Sequence, residues 1–128
     1  MTANSFTSVS LAPPLVLVCV DHRARILEHF RKSPHFGINV LSASQRSLSD
    51  QFASRGYDRF EGVEWSPGET GVPLLADVLA TLECACVNII TAGDHDILIG
   101  EVLHSTCREG EPLLFFASQY RSLHVDGK

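Results

Sequence analysis

Two long apolar stretches, Leu79 to Thr91 and Ile97 to Thr106, are separated by a short segment built around Ala92, Gly93 and Asp94. Glycine next to aspartate between strand-like runs is turn chemistry, so this part of the chain reads as one long β-hairpin. The other segments have to be placed beside it. Leu15 to Val20 is a continuous apolar run bounded by prolines and by Asp21, the pattern of a buried strand. Phe36 to Leu41 is another strand, and Leu113 to Ala117 is the last clear one.

The helical signals are short. Ile26, Leu27 and Phe30 form an apolar stripe in Ile26 to Lys32, Arg31 and Lys32 suit a helix carboxyl end, and Pro34 stops it. Ser42 and Ser44 are candidate caps for a second helix through Gln45, Leu48, Phe52 and Ala53, with Leu48 and Phe52 on its buried face. From Ser54 to Val72 the chain turns polar and glycine-rich, with Gly56, Gly62, Gly68 and Gly71, anchored by Tyr57, Phe60, Val63 and Trp65. Such a loop covers a ligand or packs on a partner subunit. Hairpin-connected strands with only two short helices favour an antiparallel barrel or sandwich over a parallel α/β sheet.

The length of 128 residues suits one domain, 1–128, with one core. With 45% apolar and 20% charged residues the chain is expected to fold. Its formal net charge of −5 and lack of a basic run give no attraction to a phosphate backbone, so nucleic acid is not an expected partner. No apolar stretch approaches the ~20 residues that span a bilayer, and no signal peptide is recognisable, so no membrane association and a cytoplasmic location are expected. Cys19, Cys84, Cys86 and Cys107 each lie in an apolar run and read as buried thiols, not as metal ligands.

Three places carry chemistry. Thr2, Ala3, Asn4, Ser5, Phe6, Thr7, Ser8, Val9 and Ser10 read as a strand lined with small donors and acceptors and closed by Pro13 and Pro14. Such a row complements a planar ligand with alternating donors and acceptors on its edge. Asp21, His22, Arg23, Ala24 and Arg25 stand between a strand and a helix, where guanidinium groups beside a helix amino terminus make an anion site. The run Gly93, Asp94, His95, Asp96, Ile97, Leu98, Ile99, Gly100 delivers a histidine to the start of an apolar strand. The other histidines, His22, His29, His35, His104 and His124, show no spacing that suggests a metal site or a triad. Neither a nucleophile motif nor a glycine-rich dinucleotide fingerprint is present.

The polar row with its prolines and the Gly93, Asp94, His95 run together resemble the flavin reductase family, over nearly the whole chain but without the family's amino-terminal helix and first strand. The resemblance implies an FMN-binding split β-barrel, mainly β and antiparallel, with short flanking helices. It implies an NAD(P)H:flavin oxidoreductase that reduces FMN or FAD with NADH or NADPH and supplies reduced flavin to a flavin-dependent monooxygenase. A homodimer is expected. Asn4, Ser5, Thr7 and Ser8 would meet the flavin, Asp21, Arg23 and Arg25 its phosphate, and Ser42 and Gln45 the ring. His95 and Tyr120 would line the nicotinamide site. No residue is assigned a chemical step, because the flavin accepts the hydride and the protein positions two rings. Other readings are a flavin-binding module without reductase activity and an inactive, truncated chain whose start is mis-assigned.

Overall fold

The computed structural model describes residues 1–54, 59–124 and 126. Its centre is the expected hairpin: β6 (Ala80–Ala92) and β7 (His95–Cys107), thirteen residues each, joined through Gly93 and Asp94. Gly93 takes φ +61°, which a two-residue hairpin with glycine first requires. Preceding them are β1 (Thr7–Leu11), β2 (Pro14–Asp21), α1 (Leu27–Lys32), β3 (His35–Val40), a 3₁₀ turn (Ala43–Gln45), α2 (Arg46–Ala53), β4 (Trp65–Pro67) and β5 (Pro73–Leu75). The chain ends with the small hairpin of β8 (Leu114–Phe116) and β9 (Gln119–Arg121).

The main sheet has five antiparallel strands in the order β1-β2-β7-β6-β3. Strand alternation sends Val16, Val18 and Val20 of β2 and Asp96, Leu98 and Gly100 of β7 to one face. Leu27 of α1, Phe36 of β3 and Cys84 of β6 complete the core with them. Gly100 is dictated by contact, because a Cβ there would lie 2.5 Å from Phe36 Cζ and 2.8 Å from Cys84 Cβ. Leu15, Leu17, Cys19, Ile97 and Ile99 line the opposite face and are only half-buried.

The split barrel expected from the resemblance is not what forms. Among the described residues β1 bonds only to β2 and β3 only to β6, so no ladder joins the outermost strands and the sheet stays open. The mainly β, antiparallel character and the short helices stand. The polar strand is also shorter than expected, because residues 2–6 carry no ladder. There the Ser5 hydroxyl replaces it, accepting from Cys19 N at 3.1 Å and donating to Cys19 O at 3.0 Å. The long loop contains β4, which pairs with β5 just past the loop's end, while Gly56 and Tyr57 lie outside the described residues. Cys84 is buried and its thiol is pushed up to about 11 by that burial, whereas Cys107 is exposed at the end of β7.

Candidate functional site

The β2–β7 ladder ends on the register pair Asp21 and His95. Beyond it His22 N donates to Asp94 O at 2.8 Å, so the basic loop is stitched directly to the hairpin turn. Within that loop Asp21 accepts from Arg23 N at 2.8 Å and from its guanidinium at 3.2 and 3.0 Å. These bonds hold the Asp21 carboxyl down at about 2, and the Arg23 charge is largely answered within the loop. Arg25 is exposed and, among the described residues, has no ion pair. α1 has only six residues and no side-chain cap at Ile26, so an anion here would rest on Arg25 and loop amides more than on a helix end.

His95 is 41% exposed, and its Nδ1 lies 2.7 Å from Asp94 Oδ1. That bond, the largest cause of the lowered Asp94 pKa, leaves Nε2 as the nitrogen presented outward. Asn4, Thr7 and Ser8 are exposed; Thr7, opposite Leu17, shares the half-buried face with it, whereas Ser8, opposite Val16, points to the other face, and Ser5 is committed to Cys19. This set suits a flavin. It offers neutral donors and acceptors for a polar ring edge, Arg25 without an ion pair among the described residues for a phosphate, and a half-buried apolar floor of Leu17, Cys19, Ile97 and Ile99.

Ser42, Gln45 and Tyr120 lie elsewhere. Gln45 is buried with its amide spent, Oε1 accepting from Ser42 N at 3.0 Å and Nε2 donating to Ala76 O at 2.9 Å. Tyr120 packs β9 against α2, its hydroxyl 2.8 Å from both Ser49 Oγ and Asp50 Oδ1 and its ring 4.4 Å from the Arg46 guanidinium. One hydroxyl proton cannot serve both neighbours. The carboxylate can only accept, so Tyr120 donates to Asp50 and accepts from Ser49. Arg46 and Tyr120 both line two open hollows, of about 360 and about 510 Å³, the larger reaching Ala43 beside Ser42. His95 is thus grouped with the Asp21 loop, and Tyr120 with the Ser42 turn.

Sequence reasoning missed His22, Arg31 and Asp96. Asp96 Oδ1 lies 2.7 Å from His22 Nε2 and Oδ2 accepts from Arg31 at 3.1 Å, across 74 and 65 residues of chain. The available signal was an aspartate in the inward phase of an otherwise apolar strand, where it needs partners. Among the described residues no cluster of three or more His, Cys, Asp or Glu could hold a metal, and no helix is long and apolar enough to cross a membrane.

Residues 1–124 match the flavin reductase like domain, and the chain belongs to that family. It is 43% identical over 134 residues to the NADH-dependent FAD reductase of Streptomyces globisporus, across 98% of this chain and 72% of that protein. The reductase subunit of a flavin-dependent monooxygenase from Rhodococcus jostii is 37% identical over 124 residues, across 96% of this chain and 64% of the relative. The solved Streptomyces globisporus NADH:FAD oxidoreductase superposes with a TM-score of 0.93 at 43% identity, covering 98% of this chain and 77% of the other. The chain spans from 32% to 72% of the length of the first curated relatives it matches.

Proposed function

We propose that this chain is an NAD(P)H-dependent flavin reductase that supplies reduced FMN or FAD to a partner monooxygenase. The observation that carries the reading is the Asp21–His95 register pair, which puts an anion-binding loop and a turn-held histidine side by side at one end of a ladder. A bound flavin supplies the acceptor for hydride from the nicotinamide. The protein's part is to bind and orient: Arg25 and loop amides take the phosphate, Asn4 and Thr7 bond the flavin's polar groups, and His95 Nε2 meets the donor. Family membership supports the reductase reading as a whole. Ser42, Gln45 and Tyr120 fit a supporting role, Gln45 by shaping the turn and Tyr120 by holding the wall of the Arg46 cleft.

The test is oxidation of NADH or NADPH followed with and without added FMN or FAD. His95→Ala should raise the Michaelis constant of the donor about tenfold while flavin affinity stays within about threefold. Flavin that binds but never accelerates donor oxidation would favour a flavin-binding module without reductase activity. We also infer a homodimer. The exposed Val9, Leu11, Val87 and Leu103 leave apolar area, apart from the flavin floor, that a second copy would cover. Light scattering should then return about twice the chain mass of 14.0 kDa. Four free thiols support a cytoplasmic setting.

A further inference from the structure

Asp96, 1% exposed, is the most deeply buried carboxylate among the described residues. Its carboxylate gathers donors from three other parts of the fold. His22 comes from the loop after β2 at 2.7 Å, Arg31 from α1 at 3.1 Å, and Thr91 from the end of β6 at 3.1 Å. Arg31 also bonds Glu28 at 2.9 Å, which extends the network into the first turn of α1. Stability alone is a poor reason for a carboxylate here, because apolar residues of similar volume usually serve a core as well or better. What an apolar residue lacks is direction. Each bond to Asp96 fixes the angle of a separate element as well as its distance.

The neighbours give that direction its meaning. His95 precedes Asp96 on the same strand and, by alternation, points to the other face. His22 lies between Asp21 and Arg23, in the loop assigned to the phosphate. Resting on the flavin reductase reading, we propose that Asp96 is a positioning residue that holds the loop Asp21–Arg25 in fixed register with His95. It thereby sets the separation between the flavin phosphate and the nicotinamide donor.

The experiment titrates the protein with FMN and with riboflavin, using wild type, Asp96→Asn, His22→Ala and His22→Gln, and adds steady-state kinetics with NADH. Loss of a properly placed charge-assisted contact should weaken FMN about tenfold in Asp96→Asn while riboflavin changes by less than about twofold. The NADH Michaelis constant should rise about fivefold with kcat within about twofold, the pattern of misplaced binding groups. His22→Ala should shift FMN in the same direction, and His22→Gln, which keeps a donor for Asp96, should restore most of the affinity. General loosening of the core would instead weaken both flavins alike and would overturn the proposal. So would unchanged FMN affinity in a folded Asp96→Asn protein, or equal losses in His22→Ala and His22→Gln. If Asp96→Asn does not fold, the His22 pair decides. Wild-type protein that binds neither flavin would remove the underlying reading; wild-type binding of both without selective loss in the variants would remove only the positioning role.

Discussion

Arg23 and Arg25 leave the same loop with different charge to offer. Arg23 is bound at three points by Asp21, whereas Arg25 has no ion pair among the described residues. A phosphate that recruits Arg23 must first compete with a carboxylate, so Arg25 should carry most of the electrostatic contribution. Arg25→Ala should weaken FMN relative to riboflavin about tenfold and Arg23→Ala less than about threefold, read by fluorescence titration. Equal losses would show that Asp21 releases Arg23 on binding. This asymmetry was hidden in the sequence, where both arginines look alike. His22 and Asp96 were hidden for a different reason: they meet only because β2 and β7 pair. The resemblance put Gln45 at the flavin ring; in the structure its amide closes the turn to Ser42 and reaches Ala76, bonds that no local pattern announces.

The element that governs the architecture, the β6–β7 hairpin, could be read directly because its signal is local: apolar strands around Gly93 and Asp94. The β8–β9 hairpin escaped notice because its turn places Ala117 and Ser118 at φ 51° and 61°, where such turns normally carry Asn or Gly. Packing between elements gives a sharper test. Gly100 lets β7 pass under Phe36 and beside Cys84, and an added methyl has to displace a ring edge and a backbone-anchored Cβ in the buried core. Gly100→Ala should cost about 1–3 kcal/mol, measured as a lower denaturant midpoint with unchanged slope. A neutral result would mean that β3 and β7 separate freely. The loop joining β4 to β5 is held differently, wrapped around the Glu83 carboxylate through Thr70 N at 2.9 Å and Thr70 Oγ1 at 2.7 Å. Glu83→Gln should speed amide exchange at Thr70 while leaving the central strands protected.

At the scale of the whole molecule these pinned carboxylates set how the fold answers acid. Asp21, Glu83, Asp94 and Asp96 all titrate below their ordinary values in the folded chain. The leading causes are bonds from Arg23, Thr70, His95 and His22 respectively. A depressed carboxylate contributes stability above its unfolded value, and that contribution fades as pH falls toward the folded one, because the unfolded chain takes up its proton first. The window therefore opens at the ordinary values, 3.8 for aspartate and 4.5 for glutamate, and extends down to about 2 for Asp21. Solvent screens the exposed Asp21–Arg23 and Asp94–His95 pairs, so they should matter little to stability. Asp96 and Glu83, 1% and 5% exposed, should dominate. The urea midpoint should hold steady from about pH 7 to 5 and then fall steeply toward about pH 2.5. A double variant, Asp96→Asn with Glu83→Gln, should start lower at neutral pH and fall less over the acid range, narrowing the gap to wild type as pH drops. Added salt should hardly change that gap, because both carboxylates are shielded from the ionic atmosphere. Two midpoint curves that run parallel from neutral to acid pH would show that neither carboxylate carries the acid response, and would move it to the exposed pairs.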